Sequence, residues 1–178
     1  NTGDWTLSGT DTKAAAAAAA ADTAAGNAST ALTTLGNIAS DSKLTPVEKK
    51  SVRKEWDAIY AEYNGINTQG STYSLSQPIR DAYTNAYTAL GTYLNGGTAY
   101  TPSSTRPLWV KDTINMAETT SIVGDTFRAK FKDYYTARQN LLNAVANKVQ
   151  SNLTDFVNNT YAPAISVKNR IWYQPGVP

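Results

Sequence analysis

The chain has 178 residues, with sixteen lysines and arginines against fourteen acidic residues and a formal net charge of +2 at pH 7. Cysteine and histidine are both absent, which excludes disulfides, thiolate chemistry and any triad or metal centre built on imidazole. Alanine supplies 26 residues, while Val, Ile, Leu and Phe together supply 31, or 17% of the chain; elongated packing along narrow apolar seams is therefore favoured over a broad core.

The near-even charge carries no nucleic-acid footprint. The longest apolar run, Ala14–Ala21, is eight residues, far short of the roughly 20 needed to span a bilayer. No signal-peptide pattern opens the chain, which starts on Asn1, and we expect it to be a piece of something longer.

Residues 1–10 read as an extended linker. From Asp11 to about residue 40, small and apolar side chains fall at Ala14, Ala18, Ala21, Ala25, Ala28, Leu32, Leu35 and Ala39. The alternating steps of four and three are the 3.5-residue period of a coiled-coil seam. An alanine seam lets helices approach closely but gains little per layer, and a solitary helix of this kind is marginal in water. The sequence therefore predicts a stalk completed by equivalent helices of neighbouring chains.

The second helix is marked by Thr45-Pro46-Val47-Glu48, a capping box with proline at the first helical position. Its apolar face reads Val52, Trp56, Ile59, Tyr63 and Ile66, and Lys49, Lys50, Arg53, Lys54 and Asp57 read as a solvated face. The third helix opens near Ser76-Gln77-Pro78, carries Ile79, Tyr83, Ala86, Leu90 and Tyr93 on one face, and ends at Asn95-Gly96-Gly97. Thr98 to Val123 then has two prolines and little helical period, and Leu108-Trp109-Val110 fits either a short strand or an apolar latch. The fourth helix begins near Gly124-Asp125 and presents Phe127, Phe131, Tyr134, Leu141, Val145, Val149 and Phe156; its far half is expected to leave the bundle as a second stalk. Ile171-Trp172-Tyr173 reads as extended chain. The predicted fold is all-α: a stalk at 11–40, a three-helix bundle at 41–150 with a long loop at 98–123, and a helix end and linker at 151–178.

No catalytic, metal or cofactor set emerges. Glu48, Glu55 and Glu62 share a helix face at seven-residue spacing, but they lie among lysines and arginines and read as a solvated, ion-paired surface. The basic cluster Lys49, Lys50, Arg53 and Lys54 is interleaved with acids, so nucleic acid is not an expected partner. Eleven tyrosines are more than a thin bundle can hide, and Tyr100, Trp109 and Tyr135 are candidate surface contacts. One alternative reading is a glycan-binding module using these aromatics, and another is a helical protein of a bacterial surface.

The segment from Asp41-Ser42-Lys43-Leu44-Thr45-Pro46-Val47-Glu48 through Glu55-Trp56-Asp57-Ala58-Ile59-Tyr60 resembles a segment of tailed-phage tail proteins, the large tail-tip, host-specificity and central-fibre chains. The resemblance continues in Ala82-Tyr83-Thr84-Asn85-Ala86-Tyr87, in Ile122-Val123-Gly124-Asp125-Thr126-Phe127-Arg128, and in Tyr134-Tyr135, Arg138 and Leu141-Leu142; Ile171-Trp172-Tyr173-Gln174 resembles the short modules between such segments. The stretch Thr98–Thr120 departs from the pattern. The resemblance implies a virion component, trimeric, acting as a fibre or spacer at the tail tip with other tail proteins as partners and a host receptor or glycan as a further one. It carries over no catalytic residue and no cofactor.

Overall fold

The computed structural model describes residues 7–101 and 105–160. The first six residues of the expected linker and the whole Ile171-Trp172-Tyr173 segment lie outside the described residues. Five helices carry the fold: α1 (Leu7–Gly36), α2 (Pro46–Thr72), α3 (Gln77–Leu94), the short α4 (Thr113–Ala117) and α5 (Gly124–Thr160). Two dipeptide strands, β1 (Lys43–Leu44) and β2 (Thr120–Ser121), pair antiparallel. The fold is all-α, with that two-stranded ribbon as its sole sheet among the described residues.

Local chemistry sets the boundaries. Both halves of the Thr45–Glu48 capping box are formed, with Pro46 at the start of α2. Pro78 stands in the first turn of α3, and Gly96 and Gly97, at φ +71° and +84°, take the left-handed conformation that ends it. Asp112 accepts from the N–H groups of Ile114 and Asn115 and so caps α4.

Helix α5 is the axis of the molecule, packed along one side by α3 and along another by α1. Both neighbours run antiparallel to it. Tyr93 reaches the Val123 carbonyl and Tyr83 meets Tyr134, so α3 begins near the level of residue 140. Arg128 donates to the Ile38 carbonyl, Arg138 to that of Ala24 and Gln139 to that of Ala21, which sets the start of α1 beside residues near 153. Past Leu141, therefore, α1 is the partner of α5, and the two form a paired stalk of roughly 18 Å at 1.5 Å per residue. The first residues of α1 and the last of α5 lie at the same pole; the α1–β1 turn, α4 and the β-ribbon lie at the other.

This geometry changes two expectations. The seam assigned to neighbouring chains is covered within the chain by α5. Its period is 3.5, but its phase is shifted at alternate positions: Thr10, Ala14, Ala21, Ala24, Ala28, Ala31, Leu35 and Ile38 are buried and Ala17 is half-buried. Ala18 and Ala25 face solvent and Leu32 is half-covered, because α5 brings the large Tyr135 and Arg138 against this face and small side chains are needed there. Second, Leu108–Val110 is a single 3₁₀ turn rather than a strand. Val110 is buried, Leu108 is exposed, and Trp109 lies edge-on to Tyr93.

Candidate functional site

The core of the body is a wall of aromatic rings. Trp56 stacks on Tyr87 at 5.4 Å and meets Tyr100 edge-on at 5.1 Å. Tyr63 stacks on Tyr87 at 3.8 Å and on Tyr83 at 5.6 Å. Val52, Trp56, Ile59, Tyr83, Leu90, Phe127, Phe131, Tyr134, Leu141 and Val145 are all buried, while Tyr63, Ile79 and Ala86 are half-buried. The loop after α3 is laced onto this wall. Trp56 Nε1 donates to the Thr105 carbonyl at 2.9 Å, and Arg106 grips Asp57 with two hydrogen bonds of 2.8 Å.

Two of the three candidate surface contacts are thereby corrected. Tyr100 and Tyr135 are 4% and 5% exposed, because each hydroxyl has a partner that removes the cost of burying it. Tyr100 meets the Tyr87 hydroxyl at 3.5 Å, and Tyr135 donates to Glu55. Trp109 alone stays partly open, beside a groove of about 550 Å³ that also touches Tyr93, Gly96 and Val123. Neither tyrosine can therefore join Trp109 in a sugar-binding platform.

A cleft of about 430 Å³ lies between α1, α2 and α5, lined by Asn27, Thr30, Lys54, Glu55, Glu62 and Arg138 among others. Glu55 and Glu62 share its floor, as their seven-residue spacing on α2 requires. Arg138 donates to Glu62 at 2.7 Å and to the Ala24 carbonyl at 3.2 Å, and its guanidinium lies 5.7 Å from the Tyr135 ring centre. Tyr134 donates to the other Glu62 oxygen at 2.7 Å and meets Tyr83 at 3.2 Å. The solvated-face reading of these carboxylates is corrected: both are half-buried, and each accepts from a buried tyrosine.

Burial pushes the Tyr134 hydroxyl far above the ordinary phenol range, and the neighbouring Tyr83 and the Glu62 charge add to it. Burial, and next the hydrogen bond to Glu55, does the same for Tyr135. These phenols keep their protons and serve as donors. General acid–base work needs a group that exchanges its proton near working pH; here the bound protons hold three helices together.

The third carboxylate, Glu48, has another task. Its two oxygens accept from the Ala39 N–H and from the Thr45 N–H, each at 2.9 Å, and from the Thr45 hydroxyl at 2.7 Å. Burial alone would raise its pKa, but these hydrogen bonds outweigh it and hold the carboxyl below the usual range. Lys49, expected on the solvated face, is 1% exposed. Its ammonium donates to the Asn115 carbonyl at 2.7 Å, which docks α4 on α2; burial pushes its pKa down and Glu118 opposes that. Sequence reasoning missed the partners of Lys49 and Arg138. The doublets Tyr134-Tyr135 and Leu141-Leu142 were a readable signal, since a helix burying adjacent residues is covered from two sides.

One more surface stands out. The exposed large apolar residues, Val47, Leu108, Ile114 and Val123, all lie at the pole opposite the stalk. Among the described residues no group of three or more acidic side chains is placed to hold a metal ion, and no helix is long and apolar enough to cross a membrane.

Over 121 residues, 68% of its length, the chain is 35% identical to a tail fiber protein of Enterococcus phage phiEF24C. The chain spans 6% of the length of that relative. No protein-family model matches the chain. No solved structure matches it. The relation is of the kind that the Asp41–Tyr60 and Tyr134–Leu142 motifs imply.

Proposed function

We propose that this chain, related to a phage tail fibre protein, is a mechanical segment of a tail fibre: a stiff arm that stands off the fibre and presents its helical body. One observation carries the reading. The start of α1 and the end of α5 meet at one pole, so chain entering through α1 leaves beside its point of entry, on a stalk made of the same two helices. A segment in line with a fibre axis would pass chain from one pole to the other. The helices α1 and α5, roughly 45 and 55 Å long, give the arm its reach. Arg128, Arg138 and Gln139, each bonded to a carbonyl of α1 or of the turn after it, fix the register of the two helices.

On this reading the work is positional rather than chemical. The arm places surfaces toward neighbouring tail proteins or the host cell, and copies of the chain self-associate, as the three-chain assembly implied by the resemblance requires. The expected location is the virion tail. Antibodies raised against this chain and visualised by electron microscopy on particles carrying it test the proposal. Label beside the tail fibre, displaced from its axis, is the expected result. Label confined to the capsid, or absent from intact particles, overturns it.

A further inference from the structure

We infer that α1 is a hinged cover, released as a unit about the turn at Ala39–Ser42 while α2, α3 and the body part of α5 stay folded. The inference goes beyond the positional role proposed above and does not depend on where in the virion the chain sits.

The first ground is how little holds α1 down. Its buried face is Ala14, Ala21, Ala24, Ala28 and Ala31, with Leu35 as the one large apolar side chain fully covered among the described residues of the helix. Methyl groups gain little apiece when buried. The helix is also undercut on both sides. The cleft of about 430 Å³ opens beneath Asn27, Thr30 and Thr34, and a groove of about 610 Å³ runs along the other flank beneath Ala25, Ser29 and Thr33. The hydroxyls of Thr30, Thr33 and Thr34 each turn back to the carbonyl four residues earlier, a habit that weakens and bends a helix.

The second ground is that the side chains reaching α1 leave buried polar atoms without partners. Arg138 and Gln139 donate to the Ala24 and Ala21 carbonyls, yet Arg138 Nε and Gln139 Oε1 are buried with no hydrogen-bond partner. α1 roofs both side chains. Water satisfies both atoms once α1 lifts, so their desolvation is a cost of the closed state.

The third ground is the hinge itself. Ala39 and Ser42 take φ values of +55° and +63°, left-handed backbone that strains any residue carrying a side chain. Ala39 is pressed so closely on the start of α5 that a Cβ on Gly124 would collide with its carbonyl oxygen. Glu48 on the Ala39 N–H and Arg128 on the Ile38 carbonyl hold the turn closed. Strain of this kind persists only where surrounding contacts impose it, and it concentrates at switch regions. All three features act on one element and favour its release. Opening bares Tyr135, Val145 and Val149 of α5 and lets α1 lengthen from about 45 Å as a helix to roughly 100 Å as extended chain. The arm can therefore yield and reclose without losing its body.

Thiol labelling of the whole chain tests the inference, because the sequence has no cysteine and a single introduced thiol is the sole reporter. Ala24→Cys places it under α1 and Val52→Cys places it in the body, both at buried positions. In native buffer the Ala24→Cys thiol should react with a maleimide about a hundredfold or more faster than the Val52→Cys thiol, since local release needs less free energy than global unfolding. Thermal melts near the parent's show that the variants fold; if Ala24→Cys melts far lower, Ala21→Cys on the same covered face replaces it. Equal rates would mean that α1 leaves only when the whole molecule unfolds, and overturn the inference. Ser42→Gly, added to each variant, then tests the hinge. It relieves the left-handed strain at an exposed position and, net of the greater freedom of glycine, should slow labelling under α1 by about two- to fivefold. An unchanged rate there overturns the hinge, because an opening that leaves this turn as it is gains nothing from glycine.

Discussion

The body and the stalk of this arm are built on opposite principles. In the body, Trp56, Tyr83, Tyr87, Tyr134, Phe127 and Phe131 are each fully buried, and rings of this kind bury about 150–250 Å² apiece. In the stalk the seam opposite Val145, Val149 and Leu153 is almost wholly alanine, worth about 0.8 kcal/mol for each methyl-sized group covered. Depth stabilises the body, whereas length stabilises the stalk. The consequence is a gradient of local stability along one continuous helix, α5, from a fixed end to an end prone to opening.

The largest break of that contrast is expected at Trp56. Trp56→Ala removes the stack on Tyr87, the edge contact with Tyr100 and the bond to Thr105, and should cost about 3–5 kcal/mol. Denaturant unfolding should show one transition moved to a much lower midpoint, with Thr105 and Arg106 freed from α2. A loss below about 1 kcal/mol would mean the ring wall is not the centre of stability.

Arg138 joins the two regions, since it binds Glu62 on α2 and the Ala24 carbonyl on α1. Arg138→Met keeps the stem but leaves Glu62 half-buried without its cation, and a lost hydrogen bond to a charged group is worth about 1.5–3 kcal/mol. The cost should appear in both α1 and body amides by hydrogen exchange. If only body amides respond, α1 is held by its seam alone.

How much of this was legible follows from the same contrast. The period of α1 is written in its spacing, but its phase is not. Alanine occupies 17 and 18 as well as 24 and 25, so the sequence offers two equivalent registers. At 31 and 32 hydrophobicity favours Leu32, whereas fit against Tyr135 favours Ala31. Period alone also cannot say whose helix fills a seam; here α5 of the same chain does. The buried tyrosines were misplaced for a different reason. Counting apolar area treats a phenol as half wet, yet Tyr134 and Tyr135 each find a carboxylate on α2 seven residues apart, a pairing that needs the fold to be seen. The loop at 98–123 gave no signal because its elements are two to five residues long and depend on Trp56, Asp57 and Lys49 to hold them. The capping box and the ends of α3 were readable because they rest on adjacent residues.

A smaller effect sharpens the contrast from the stalk side. Val149 is 6% exposed against the alanine seam, where a thin two-helix contact relaxes easily. Val149→Ala should cost about 1 kcal/mol, felt as faster exchange in α1 before Ala21 and in α5 past Leu142. The body should keep its melting temperature. A global shift would mean that stalk and body unfold as one unit.

The smallest expected effect sits at the joint between them. Glu48 belongs to α2 but accepts the Ala39 N–H, so it ties the end of α1 to the body. Its carboxyl is held below the ordinary range in the folded protein, so on acidification the unfolded chain takes up this proton first. The stabilising contribution is thus complete above the ordinary carboxylate range and is lost as pH falls through the folded value. Gln fills the same position of a capping box without the charge, so Glu48→Gln should cost about 0.3–1 kcal/mol at neutral pH, the usual worth of a carboxylate at a helix start. The gap should begin to close as pH falls below about 4.3, the unperturbed glutamate value, and the variant and the parent should converge only below the lowered folded value. Thermal melts of both across that interval check the sign. A gap that stays constant with pH would assign the contribution of Glu48 to hydrogen-bond shape alone, and the joint would then be insensitive to acid.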